Sequence, residues 1–217
     1  MTNSNIYLSD LISSYSSLKS CFDDITHGFN VMVNCFQSGG KLLVCGNGGS
    51  AADSLHIVGE LMKGFVLPRY LPSSLQNMFR IRYPESAEYL CKNLQMPLPA
   101  VSLVNEVSLS TAYANDQASD LNFAQHLLGI GKKGDVLLAI STSGNSQNVL
   151  YACQVAKVLG LIVIGLTGND GGKLKDMADI SICVPEKETY KIQELHLPVY
   201  HALCLALEDQ FFSNGIQ

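Results

Sequence analysis

Two side chains in the stretch LLVCGNGGSAADSLHIVGELMKGF (residues 42–65) have the spacing to act together, His56 and Glu60, four residues apart. On a helix that spacing places an imidazole and a carboxylate on one face. Near the other end of the chain, KIQELHLPVYH carries Gln193 and His201. If helical, these two fall about 80° apart around the axis, on roughly the same side. Two nitrogen ligands, a carboxylate and a carboxamide oxygen make a donor set for a divalent ion such as zinc. Without a metal, Glu60 and His201 make a general acid/base pair. A His/Glu pair at this spacing is also common on solvated helix surfaces, so the spacing alone assigns nothing. His196 reads as a satisfied polar residue, and His27 and His126 carry no pattern.

Glycine- and serine-rich turns stand close to these groups in the sequence. GNGGS (46–50) follows one apolar run and opens a helical pattern, and STSGNS (141–146) does the same further on. Helix N-termini present unpaired N–H groups and a partial positive charge. Glycines let a guest approach the backbone, and serine hydroxyls donate further hydrogen bonds. A phosphate group is the natural guest of such a turn. Ser and Asn also cap ordinary helices, but two such turns at strand ends point to an anion more strongly than one. Neither turn is a dinucleotide fingerprint or a Walker loop, which sets aside dinucleotides and ATP.

These groups must be positioned by the elements around them. Near-continuous apolar runs occur at 41–46, 99–104, 135–141, 161–168 and 180–185, and they alternate with helical patterns such as 146–159. Runs of that kind are strands buried on both faces, and the alternation predicts an α/β fold with a five-stranded parallel sheet flanked by helices. In such a sheet, ligands sit outside the carboxyl ends of the strands. Leu8, Leu11, Tyr15, Leu18, Phe22, Ile25, Phe29, Met32 and Phe36 recur at steps of three or four, which predicts one long N-terminal helix over residues 7–36. Another long helix is expected over 190–213, with Pro198 inside it as a source of a kink. Residues 66–98 break the alternation and read as an insertion at the strand ends, whether a lid, an interface arm or a surface excursion. Within it, PESAEYLCKNL could form a short helix.

Bulk properties narrow the class. The 217 residues are 47% hydrophobic and 15% charged, and the formal net charge is −5. That suits a large core and argues against a nucleic-acid surface, which needs clustered cations. No apolar run approaches the length that spans a bilayer, and the N-terminus lacks the pattern of a secretion signal. Seven scattered cysteines, none in a CxxC pair, read as reduced residues of a cytoplasmic protein.

GNGGSAADSLHIVGEL, AND (114–116), DVLLAISTSGNSQNVL, GLTGNDGGKL and KIQELHLPVYH, in this order, resemble the sugar isomerase (SIS) domain family. The resemblance spans nearly the whole chain except 66–98, so residues 1–217 are expected to form a single SIS domain carrying that insertion. Within the family it is strongest to the phosphoheptose isomerase branch. It implies a flavodoxin-like three-layer sandwich, a homotetramer with active sites at subunit interfaces, and a sugar-phosphate substrate. The activity implied is ketose–aldose isomerisation of sedoheptulose 7-phosphate through an enediol, for heptose precursors of surface polysaccharide. Asn47, Gly48, Gly49, Ser50, Asn115, Asp116 and Gln193 would touch substrate, and Ser141, Thr142, Ser143 and Ser146 would hold its phosphate. His56, Glu60, Gln193 and His201 would match the zinc-binding positions, with Glu60 and His201 catalytic. Alternatives are a non-catalytic adaptor of the DnaA initiator-associating type, and an isomerase or sensor for another sugar phosphate. The adaptor branch is expected to lack the carboxylate and the final histidine and to carry Arg in its STxGNS turn. Glu60, His201 and Ser143 favour the enzyme.

Overall fold

The computed structural model of the chain describes residues 4–213. At its centre are five parallel strands, β1 (Leu42–Cys45), β2 (Ala100–Ser102), β3 (Val136–Ile140), β4 (Ile162–Gly168) and β5 (Ile180–Val184), in the order β2-β1-β3-β4-β5. Leu42 pairs with Ala100 on one side and Val136 on the other. Every residue of β1 and β3 is buried. The reason is that side chains alternate between faces and both faces are covered. Leu42, Val44, Leu138 and Ile164 point into one core with Ile25, Phe29, Met32, Leu203 and Leu207. Leu43, Cys45, Leu137 and Val163 point into a second, with Phe123, Leu127, Val149 and Cys153. The continuous apolar runs in the sequence are the signature of this double burial.

The first core is closed by α1 (Ser4–Ser14), α2 (Phe22–Gln37), α3 (Gly49–Met62) and α10 (Thr189–Phe212). The second is closed by α7 (Asn122–Ile130) and α8 (Gln147–Leu159), with α9 (Gly172–Met177) beside them. A further helix, α6 (Val107–Asp116), follows β2 and precedes α7. The single long helix expected over 7–36 is corrected: Tyr15 leaves the helical region (φ −128°, ψ 73°), and a 3-10 turn over Ser16–Cys21 separates α1 from α2. Serine hydroxyls in SSYSS compete for nearby backbone groups, and serine lowers helix propensity. The apolar stripe survives the break, since Leu8, Leu11, Leu18, Ile25 and Phe29 are all buried while Tyr15 is exposed.

The insertion is a helical hairpin. In it, α4 (Ser73–Arg82) runs into α5 (Pro84–Asn93), which begins on proline, a residue suited to the first helical turn. Of the two helices only Ala87 is buried, and α4 packs chiefly on α5. The chain returns to the body through Met96 N–H to Arg69 C=O (2.8 Å) and Leu98 N–H to Leu61 C=O (2.9 Å). Helix α10 runs through Pro198, whose ring is buried, without interruption. All seven cysteines are free thiols. Among the described residues, no helix is long and apolar enough to cross a membrane.

Candidate active site

Where β1 ends, the chain turns through Gly46–Gly48 and starts α3 at Gly49. Glycine at 49 is required by a close approach. A Cβ there would stand 2.4 Å from Nε2 of Gln193, which reaches over from α10. The second turn, after β3, depends on Gly144. Its φ is +63°, and a Cβ would meet the Gly171 carbonyl oxygen at 1.9 Å. That turn is tied down by Leu174 N–H to Gly144 C=O (2.9 Å) and by Asn145 Nδ2 to Ser143 C=O (2.7 Å). The first turn is joined to the first turn of α8, the helix that the second turn opens. Asn47 and Asn148 exchange amide hydrogen bonds of 2.8 and 2.9 Å.

Between the turns lies a cleft of about 280 Å³. Asn47, Gly48, Gly49 and Ser50 line one wall, Ser141, Thr142 and Ser146 another, and Thr189 and Gln193 of α10 close it. Ser141 and Ser146 share a 3.0 Å hydroxyl contact. The lining offers N–H and O–H donors with no acidic side chain, which suits a phosphate. Larger clefts flank the α4–α5 hairpin, one of them lined by Tyr70, Gln76, Arg80, Glu88 and Lys92, but no acid/base pair converges there. Ser143, Asn115 and Asp116 do not line the cleft. The Ser143 hydroxyl accepts from Asn145 N–H (3.2 Å), and Asn115 donates to its neighbour Asp116 (2.9 Å) at the exposed end of α6.

Further along the same two helices, His56, Glu60 and His201 come together. His56 Nε2 lies 3.4 Å from Glu60 Oε1, an ion-pair distance, and the His56 and His201 rings meet edge to face at 5.0 Å. The hydroxyl of Tyr200, a residue the sequence patterns passed over, contacts His56 Nδ1 (3.0 Å) and donates to Asp53 Oδ1 (3.3 Å). With that donation set, His56 Nδ1–H gives to the phenol oxygen, and Nε2 faces Glu60. Burial raises the Asp53 carboxyl above its ordinary range, against the Tyr200 hydrogen bond and His56. Burial, then the nearby His56, lowers His201, with Glu60 opposing. His201 Nε2 is buried with no hydrogen-bond partner among the described residues. Asp53 could have been found from sequence, three residues before His56 on the same helix face. Thr189 and Asn148 had no such signal, because their roles depend on how α10 and α8 dock.

A strap after α3 fixes this cluster from behind. The Glu208 carboxylate accepts from the N–H groups of Phe65 (2.7 Å), Val66 (2.7 Å) and Leu67 (2.9 Å) and from Arg69 Nε (2.8 Å), and both charged side chains are fully buried. Arg69 also donates to the carbonyls of Leu61 (2.6 Å) and Glu60 (3.0 Å). Burial works to raise the Glu208 carboxyl, but the three N–H groups and Arg69 outweigh it and hold it below its usual range.

The zinc expected from the sequence meets an obstacle. Imidazole and carboxylate donors suit the ion, and the orphaned His201 nitrogen is free to bind. However, Glu60 Oε2 is taken by Lys63 Nζ at 2.6 Å, and Gln193 sits at the cleft beside Gly49. Among the described residues, no group of three or more His, Cys, Asp or Glu is spaced to hold a metal ion. The Lys63 side chain is 57% exposed, and Glu60 Oε1 faces His56 Nε2 at 3.4 Å beside the unpartnered His201 Nε2, so the lysine contact does not close the cluster to an ion.

A family model described as "SIS domain" matches residues 7–88 and 85–168. The chain is 38% identical over 191 residues to the phosphoheptose isomerase of Crocosphaera subtropica, covering 88% of this chain and 84% of that protein. It is likewise 38% identical to the phosphoheptose isomerase of Shewanella sp. (strain W3-18-1), covering 90% and 87%. Among solved structures, the phosphoheptose isomerase of Neisseria gonorrhoeae superposes with a TM-score of 0.72 at 32% identity, covering 94% of this chain and 96% of that one. That of Francisella tularensis gives 0.71 at 31% identity, covering 94% and 95%.

Proposed function

For a chain that belongs to the SIS domain family, on the branch of the phosphoheptose isomerases, we propose ketose–aldose isomerisation of sedoheptulose 7-phosphate. One observation carries the reading. An anion cleft and a His/Glu/His cluster occupy the same pair of helices, a fixed distance apart. Helical rise puts His56 about 10 Å beyond Gly49 and His201 about 12 Å beyond Gln193. An extended chain advances about 1.2 Å per bond, since the three backbone bonds of a residue span about 3.5 Å. Eight bonds separate the phosphorus of a 7-phosphate from C1, a reach of about 10 Å by the same figure. A triose phosphate, with four, spans half of that. The spacing therefore suits a long open-chain sugar phosphate.

The steps follow from chemistry. The cleft holds the phosphate and so places C1 and C2 at the cluster. Glu60 takes the proton from C1, and the C1–H electron pair forms the C1=C2 bond of a cis-enediolate. His201, kept neutral near pH 7 by its burial, moves protons between O1 and O2. Glu60 then returns its proton to C2, giving the aldose. Each well-placed acid or base supplies about 10²–10⁴-fold in rate. Gly48, Gly49, Asn47, Ser50, Ser141, Thr142 and Ser146 are assigned to the phosphate and the adjacent hydroxyls, and Gln193 to the sugar beside them. Asn115, Asp116 and Ser143 would have to reach substrate from outside this cleft. The zinc implied by the resemblance carries no step here. We further propose a homotetramer in the reducing cytoplasm, a compartment that seven free cysteines suit.

The direct test is a product assay with sedoheptulose 7-phosphate, run with and without chelator, beside light scattering for four chain masses. Conversion to D-glycero-D-manno-heptose 7-phosphate that survives chelation supports the reading in full. Loss on chelation restores zinc to the mechanism. Absence of conversion together with absence of any sugar-phosphate-induced thermal shift supports the adaptor instead.

A further inference from the structure

Resting on the reading of the α3/α10 cluster as the working site, we propose that Tyr200 is a positioning residue: its hydroxyl, given to Asp53, holds His56 in the tautomer protonated at Nδ1 and so offers a bare Nε2 to a divalent cation. Tyr200 is 2% exposed, and its ring meets both histidines edge to face, His56 at 5.5 Å and His201 at 5.0 Å. Its hydroxyl stands between two side chains of α3, with Asp53 Oδ1 at 3.3 Å and His56 Nδ1 at 3.0 Å. Residues three apart share a helix face, and α10 lays the phenol across this pair.

The phenol has one proton and two acceptors within reach, so one neighbour must give to it instead. A carboxylate only accepts, whereas a neutral imidazole gives from one nitrogen and accepts at the other. Asp53 Oδ1 takes its hydrogen bond from the phenol, and Oδ2 is buried with no partner among the described residues. Turning the phenol toward His56 would strip the carboxylate of that bond, and a bond to a charged acceptor is about twice as strong as a neutral one. The phenol proton therefore stays on the Asp53 side, and His56 gives from Nδ1. Nε2 keeps its lone pair, 3.4 Å from Glu60 Oε1. Two acceptors so placed repel one another unless they share a cation. His201 Nε2, on a ring 5.0 Å from that of His56, is a further buried atom without a hydrogen-bond partner.

A ligating imidazole usually gives its far N–H to a carboxylate or a carbonyl, which fixes both the tautomer and the aim of the ring. Here the carboxylate acts at one remove, through the phenol. The His56 side chain is 43% exposed, so these contacts, rather than enclosure, set its orientation. The parts are divided between two helices, Asp53 and His56 on α3 and Tyr200 on α10 beside His201. The lock therefore closes only when the helices that carry the ligands are docked.

The test uses the full chain, stripped of metal, as wild type, as Tyr200→Phe, which keeps the ring and removes the hydroxyl, and as Asp53→Ala, which keeps the phenol and removes its acceptor. Long-range proton–nitrogen NMR, with the ring neutral and His56→Gln to assign the signal, reads which His56 nitrogen carries the proton. Competition with a chromogenic chelator reads zinc affinity, and inorganic phosphate affinity and Tm report the cleft and the fold. Wild type should be protonated at Nδ1 and bare at Nε2. Asp53→Ala should move the proton to Nε2, because the freed phenol then gives to Nδ1. Both variants should bind zinc about 10–100-fold more weakly, with phosphate affinity kept. If Tyr200→Phe fails to fold, Asp53→Ala decides alone. A wild type protonated at Nε2, a wild type that binds no zinc, or folded variants with wild-type zinc affinity would each overturn the inference, and conversion of sedoheptulose 7-phosphate by such a protein leaves the isomerase reading standing. A locked, zinc-binding wild type that converts no sugar phosphate supports the inference and overturns that reading.

Discussion

Glu208→Ala offers the sharpest test of how this site is held. The carboxylate is fully buried and accepts four hydrogen bonds, from Phe65, Val66, Leu67 and Arg69, at 2.7 to 2.9 Å. Its removal leaves the Arg69 guanidinium as an unpaired buried charge, which costs about 3–5 kcal/mol. Each stranded N–H adds about 1–3 kcal/mol if it stays dry, but the strap can open and let water in. The expected loss is therefore about 3–5 kcal/mol, a large share of a typical domain stability of about 5–15 kcal/mol. For a chain of this size that is a fall in Tm of about 10 °C. The chain has no tryptophan, so urea unfolding is best followed by far-UV circular dichroism. Arg69→Met paired with Glu208→Leu should recover the part due to the stranded guanidinium but not the part due to the three N–H groups. Because Arg69 also holds the Glu60 carbonyl, Glu208→Ala should lower kcat at temperatures where it remains folded, with phosphate affinity kept. A Glu208→Ala protein that loses less than about 1 kcal/mol, the size of a surface pair, would refute the view that this ion pair anchors the strap.

Gly49→Ala should push the Gln193 amide out of the cleft, since the new Cβ would stand 2.4 Å from its Nε2, and KM for the sugar phosphate should rise more than kcat falls. Gly144→Ala combines a strained φ with a clash against the Gly171 carbonyl, and the variant should lose phosphate binding and melt earlier in calorimetry. His196 is fully buried, and burial lowers it from 6.5 to about 4. The unfolded chain therefore binds this proton first as pH falls. Its effect is absent above 6.5, and stability declines from there to about 4, by about 1.4 kcal/mol per pH unit at the steepest. His196→Gln should flatten that slope in denaturant titrations, and an unchanged slope would count against the assignment.

The legible parts of this protein are those set by periodicity and local chemistry. Five apolar runs became five parallel strands because helices cover both faces of the sheet, leaving only isolated polar positions such as Ser102, Thr167 and Ser181. GNGGS and STSGNS announced their turns through glycines that the backbone requires. His56 and Glu60 met because helix spacing alone brings them together. What stayed hidden depends on docking between distant elements. Tyr200 orients His56 only once α10 lies against α3. Glu208 and Arg69 form their ion pair across 139 residues. The long first helix misled for a different reason: an apolar stripe at helical spacing records which side is buried, and it continues across a serine-rich break that the backbone does not.

If Glu60 moves a proton between C1 and C2 of a sugar held by its phosphate, that transfer can be read at the carbon atoms by proton NMR of sedoheptulose 7-phosphate in deuterated water. Wild type should place deuterium at C1 of the ketose and C2 of the aldose. Glu60→Gln should place none at either, alongside undiminished affinity for inorganic phosphate. Exchange that continues at the wild-type rate in Glu60→Gln would remove Glu60 from the reaction.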